Sequence, residues 1–186
     1  HWPNIDAIDA GNVLVPLCGK SLDMLWLAEQ GYTIVGLEMV QQAVETFFTE
    51  NQLEFDMIEI GKHKKFSSHP FTIFQGDLFD LDIGVIQADS WYDRAALIAI
   101  EPSKRENYVD QIRKQTKLGA VGLLITFAYP QEQMQGPPYA LHDDDVISLF
   151  SDGFELECLE KIDLEDDKDR NLTNVSSSIF KIRRIN

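Results

Sequence analysis

Short apolar, β-branched runs alternate with segments whose apolar residues recur at helical spacing, and this alternation constrains the chain more than any other feature. Residues 13–17 read as a strand that breaks at Cys18-Gly19-Lys20-Ser21, after which Leu22, Leu25, Trp26 and Leu27 follow a helical period. Gly31 stops that helix, and residues 33–37 read as a second buried strand closed by Glu38. Ala43, Val44, Phe47 and Phe48 then share one face of a second helix. A polar connection over residues 59–70 leads into a third strand, residues 71–74, ending at Gly76-Asp77.

A fourth strand is expected near residues 90–92. Ser103 and Glu106 have capping-box spacing before a helix carrying Tyr108, Val109 and Ile112, which Gly119 is expected to stop. Residues 120–128 form the longest β-rich run, and residues 143–150 a short helix with an acidic first turn. Two last strands, residues 154–162 and 176–185, flank an acidic loop. Repeated strand–helix units require a mainly parallel sheet with helices on both faces, and such sheets bind ligands beyond the carboxyl ends of their strands.

A chain of 186 residues with 44% apolar content supports one core, so residues 1–186 are read as a single domain. The net charge of −15 and a pI near 4.5 argue against a nucleic acid or an anionic membrane as partner, because both require a clustered basic face. A small-molecule substrate and a monomer are expected. Two cysteines, Cys18 and Cys158, make no disulfide framework and no metal-ligand spacing, which points to a reducing, cytoplasmic setting. No apolar stretch reaches a membrane-spanning length, and no signal-peptide pattern opens the chain. The first residue is His1, just ahead of a turn-like stretch, so a further N-terminal piece is expected upstream.

Gly19 lets a ligand approach the backbone, and the helix start behind it presents free N–H groups. The turn is neither G-x-G-x-x-G nor a P-loop, and an ordinary strand–helix turn is the other reading. Glu38 lies 21 residues after Leu17, the spacing of a carboxylate that accepts bonds from ribose hydroxyls; a 2′-phosphate would be repelled there. Asp77 follows the third strand and either reaches an adenine edge or closes a turn. Tyr92-Asp93-Arg94 follows the fourth. Its guanidinium can hold a carboxylate or a polar substrate, or can merely pair with Asp93 at the surface. Gly136-Pro137-Pro138-Tyr139 suits a rigid aromatic wall or a simple connection. Cys18 would have a lowered pKa at a helix N-terminus, yet no His/Asn set completes a cysteine site; His63, His69 and His142 sit in polar segments and read as solvated.

Residues 13–28 (VLVPLCGKSLDMLWLA), Gly36-Leu37-Glu38, residues 91–97 (WYDRAAL) and Gly136-Pro137-Pro138 resemble the bacterial branch of the thiopurine S-methyltransferases. The resemblance runs from about Val13 to Ile185. It implies a class I methyltransferase (Rossmann-like) fold, with a mainly parallel seven-stranded sheet, an antiparallel edge pair and helices on both faces. S-adenosyl-L-methionine is the implied methyl donor and S-adenosyl-L-homocysteine the product. By matching motif, Leu17 and Gly19 would line the cofactor's methionine side, Glu38 its ribose, and Asp77 and Leu78 its adenine. Arg94 would stand at the junction of cofactor and substrate in an electrostatic, positioning role.

The family's acceptors are aromatic and heterocyclic thiols, and bacterial members are associated with selenium and tellurium compounds. The family also has an aromatic N-terminal segment that folds over the cofactor, which this sequence is expected to begin after, and a basic substrate contact for which Arg170 is the nearest candidate. The rival enzyme reading is a dinucleotide-dependent oxidoreductase, disfavoured by the single glycine of the turn; the rival non-enzymatic reading is an acidic nucleotide-binding module without turnover.

Overall fold

The computed structural model describes residues 1–186. β1 (Asn12–Pro16) leads through its turn to α1 (Leu22–Glu29), and β2 (Thr33–Glu38) to α2 (Gln41–Glu50). β3 (Asp56–Ile60) and β4 (His63–Ser68) form a hairpin ahead of β5 (Phe71–Gln75). β6 (Ala88–Asp93), α3 (Ala96–Ala99), α4 (Arg105–Gln115) and β7 (Thr116–Ile125) follow, then α5 (Asp143–Leu149), β8 (Phe154–Asp163) and β9 (Ser176–Arg184).

The strands make one sheet in the order β3-β4-β5-β2-β1-β6-β7-β9-β8. β5, β2, β1, β6 and β7 run parallel, and β8 and β9 close one edge antiparallel, as the resemblance implies. The sheet has nine strands where seven were expected, because residues 56–68 are a hairpin added antiparallel to β5. All five β3 residues are exposed at the sheet edge, so they show no alternation to read; in β4 only His63 and Phe66 are buried, among lysines and serines.

Alternate side chains of the strands feed two cores. Val13 and Val15 join Met24 and Leu27 of α1 and Val44, Phe47 and Phe48 of α2 on one face. Leu14 and Trp91 join Tyr108, Val109 and Ile112 of α4 and Val146 of α5 on the other. The expected apolar face of α1 is rotated: Leu22 is 74% exposed and Trp26 is 42% exposed, while Met24 and Leu27 carry the packing.

The helix over residues 105–115 is not started by Ser103 and Glu106. A 3₁₀ turn, Pro102–Lys104, occupies that position, and the Lys104 N-cap has no side-chain cap. Nor does Gly119 stop it. The helix ends at Gln115 and passes directly into β7, where Arg184 of β9 donates to the carbonyls of Arg113 and Thr116, and Thr116 Oγ1 donates to the Ile112 carbonyl at 2.7 Å.

Chain order runs outward from β1 in both directions, to β2 on one side and β6 on the other, so a crevice opens beyond the carboxyl ends of these strands. The turns after β1, β2, β5 and β6 surround it.

Candidate active site

Beyond β1, Leu17 has φ 45° and Gly19 has φ 51°, two left-handed residues within three positions. Glycine takes this conformation freely, whereas Leu17 stores strain on the order of 1–3 kcal/mol, of the kind that functional turns retain. The strained turn is held by β2. Cys18 N–H donates to the Leu37 carbonyl at 3.0 Å, and Gly19 N–H to Glu38 Oε2 at 2.9 Å.

Glu38 also receives Val40 N–H on Oε1 at 2.8 Å, and its main-chain carbonyl receives Gly76 N–H at 2.9 Å. One residue thus ties together the turns after β1, β2 and β5. A carboxylate has about four lone-pair sites, so each oxygen of Glu38 retains capacity for a hydroxyl donor.

Two cavities share Leu17 in their walls. The first, about 210 Å³, is lined by Leu37, Glu38, Met39, Gly76, Asp77, Leu78, Phe79 and Ile100 with Leu17. The second, about 220 Å³, is lined by Leu17, Cys18, Ser21, Asp23, Tyr92, Arg94 and Ala95 among others. The structure therefore gathers Leu17, Glu38, Asp77 and Leu78 in one cavity and places Arg94 in the wall of its neighbour. Gly19 touches Glu38 at the rim but lines neither cavity.

Asp77 caps the 3₁₀ turn Leu78–Asp80, its Oδ1 accepting Phe79 N–H at 2.9 Å. Arg94 does not pair with Asp93. Its Nε meets Asp23 Oδ2 of α1 at 2.8 Å, with just over half of its side chain still exposed, and the same oxygen accepts Ser21 Oγ at 3.1 Å. Burial, then the Asp23 charge, push the Tyr92 phenol beside this pair up to about 12, so it stays protonated at neutral pH.

Asp93 turns the other way, into the core, and is 2% exposed. It accepts Tyr108 Oη at 2.6 Å, Ala96 N–H at 2.9 Å and Leu97 N–H at 3.2 Å. Burial raises its carboxyl to about 6 against the pull of those three donors. An aspartate just ahead of the helix-forming Ala-Ala-Leu-Ile-Ala stretch was the available signal for this anchoring role.

Cys18 is not an activated nucleophile. The helix starts at Leu22 with Ser21 as its cap, and Cys18 is buried against Gly36, where a Cβ would lie 2.7 Å from Sγ. Burial and the Glu38 charge push its thiol well above the usual range. The expectation that His63 is solvated also fails, since it is 4% exposed. His142 caps α5 in a box with Asp145. The Gly136–Tyr139 loop is braced by Tyr139 N–H on the Ile98 carbonyl at 2.7 Å and by Tyr129 Oη on the Pro138 carbonyl at 2.6 Å, and lines neither cavity. Arg170 pairs with Asp167 in the exposed acidic loop, away from both. No helix is long and apolar enough to cross a membrane.

Sheet order and the position of the crevice define the class I S-adenosylmethionine-dependent methyltransferase fold. A methyltransferase of this class from Methanosarcina mazei superposes with a TM-score of 0.72 at 16% identity, covering 96% of this chain and 95% of that one. The 1,6-didemethyltoxoflavin-N1-methyltransferase of Burkholderia thailandensis, solved with 1,6-didemethyltoxoflavin and S-adenosylhomocysteine, superposes with a TM-score of 0.67 at 13% identity, covering 100% and 81%.

The chain belongs to the thiopurine S-methyltransferase family, whose profile matches residues 1–184. The thiopurine S-methyltransferase of Shewanella pealeana is 39% identical over 189 residues, covering 99% of this chain and 86% of the relative.

Proposed function

We propose that this chain transfers the methyl group of S-adenosylmethionine to the sulfur of a small aromatic or heterocyclic thiol. The observation that carries the reading is the pair of cavities that share Leu17 in their walls, with Glu38 and Asp77 lining one and Arg94 lining the other. The cofactor fits these residues: the free lone pairs of Glu38 suit ribose hydroxyls, Asp77 and Leu78 suit the adenine, and Leu17 with the Gly19 turn suits the methionine side.

When bound, the cofactor would supply a sulfonium methyl whose carbon accepts the sulfur lone pair in line as the neutral thioether leaves. The protein's task is to hold the acceptor's lone pair about 3 Å from that carbon and to exclude water. An aromatic thiol ionised near neutral pH needs no strong base. Arg94 then steadies the thiolate by charge and by its planar fork, anchored through Nε on Asp23. A selenium or tellurium nucleophile, softer and more readily ionised, meets the same requirements.

Methyl transfer from labelled S-adenosylmethionine to thiophenol, with S-adenosylhomocysteine as the second product, is the direct test. A companion thermal shift compares S-adenosylhomocysteine with NAD, because a ligand selective for the folded state stabilises it by RT ln(1 + [L]/Kd). Stabilisation by S-adenosylhomocysteine without transfer to any thiol would remove the acceptor reading. Stabilisation by NAD alone would remove the methyl donor as well.

A further inference from the structure

His63 opens β4, in the hairpin that lies outside the expected seven-stranded sheet. Its ring is 4% exposed and faces the turn that follows β5. Nε2 lies 2.8 Å from the Asp77 carbonyl oxygen, so the tautomer with its proton on Nε2 donates there. A Cβ on Gly76 would lie 2.3 Å from His63 Cδ2, which means the imidazole packs against bare backbone that only glycine provides.

Residues 76–79 are thereby held from three directions. Gly76 N–H is bound to the Glu38 carbonyl, Phe79 N–H to Asp77 Oδ1, and the Asp77 peptide oxygen to His63. The first two bonds come from the ligand-facing strand ends and from the turn itself. The Asp77 peptide oxygen also accepts Asp80 N–H at 3.1 Å within the same turn, so His63 is the one side chain from outside the turn that fixes it. Gly76, Asp77, Leu78 and Phe79 together form a wall of the 210 Å³ cavity. Oδ1 of Asp77 accepts Phe79 N–H and its second carboxylate oxygen takes no such bond, which leaves that oxygen the readier acceptor for a ligand.

We infer that His63 is a positioning residue for base recognition: by holding the Asp77 peptide it sets the carboxylate so that the site favours a base with an exocyclic amino group over one with a carbonyl at that position. The inference rests on the reading that the cofactor's adenine occupies this cavity. An amino group donates to the carboxylate, whereas the carbonyl of hypoxanthine would face it acceptor to acceptor and leave it unpaired.

The test measures calorimetric affinities of S-adenosylhomocysteine and S-inosylhomocysteine for the wild type, His63→Phe and His63→Gln. The wild type is expected to prefer the adenosyl compound by about tenfold, the scale of one hydrogen bond. His63→Phe, which fills the space without a donor, should weaken the adenosyl compound by about tenfold and the inosyl compound less than about twofold, collapsing the preference. His63→Gln, whose amide can donate, should restore most of it. Turnover at saturating cofactor should stay unchanged in both variants, since the methyl end is untouched. His63→Leu replaces the Phe variant if circular dichroism shows that the larger ring prevents folding.

Equal weakening of both compounds, or no weakening, would show a merely structural role and overturn the inference alone. No binding of S-adenosylhomocysteine by the wild type would overturn the cofactor reading and this inference with it.

Discussion

The backbone N–H of Gly19 donates to Oε2 of Glu38 at 2.9 Å, so the carboxylate at the end of β2 holds the left-handed turn at the end of β1. Glu38 therefore has two tasks, and they separate by experiment. Glu38→Ala should weaken S-adenosylhomocysteine by roughly 1.5–3 kcal/mol, the scale of hydrogen bonds to a charged group. It should also lower the melting temperature, because Gly19 and Val40 lose their acceptor. Calorimetry and a melt on one preparation measure both, and unchanged affinity would show that the ribose reading is wrong.

Arg94→Lys keeps the charge at the methyl end and loses the planar fork. Turnover with an aromatic thiol should fall by about tenfold or more, while stability changes by under about 1 kcal/mol, because just over half of the Arg94 side chain stays in solvent and Lys keeps the charge opposite Asp23. A destabilised variant with full rate per folded molecule would take Arg94 out of the site.

Asp23→Asn removes the carboxylate that orients Arg94. If the two act as a unit, the turnover loss of the double variant should be close to that of either single variant, a coupling that a double-mutant cycle measures. Additive losses would mean that Asp23 does not work through Arg94.

Asp93 predicts a pH signature of unusual sign. Its carboxyl is raised from 3.8 to about 6 in the fold, so between those values the native state binds more protons than the unfolded chain. Its contribution to stability is therefore fully present below about pH 4 and is lost as pH rises through about 6, by about 2–3 kcal/mol in all. Asp6, Asp89, Asp143 and Asp167 are shifted downward and act in the opposite sense, so the measurement is the difference between wild type and Asp93→Asn. That difference should change between pH 4 and 6; a flat difference would place the Asp93 carboxyl back in the ordinary range.

Cys18 and Cys158 should react differently with iodoacetamide. Cys158 is exposed on β8, whereas Cys18 is buried with its thiol pushed up. One adduct per native chain and two in denaturant are expected by mass spectrometry. Rapid native labelling of Cys18 would restore it as a reactive thiol.

Local pattern carries β1, β2, α2, the closing pair β8 and β9 and the spacing from Leu17 to Glu38, because burial on one or two faces imprints a period on the residues themselves. The parallel order of the central strands follows from that alternation, since each strand–helix unit returns in the same direction. Three features escape local pattern. The β3–β4 hairpin pairs at an edge where little is buried, so it leaves no period. Asp93 and Arg94 are neighbours in the chain with opposite fates, one buried against Tyr108 and the other paired with Asp23; β6 ends between them, and which partners they meet depends on α4 and α1 arriving there. His63 reads as one more polar residue among lysines until β4 docks on β5 and sets its ring against Gly76. By itself the sequence determined the central strand–helix units and the edge of the sheet beyond which the crevice opens. Tertiary structure decided which side chains meet there, because hydrogen bonds and ion pairs between distant segments depend on packing that no local periodicity encodes.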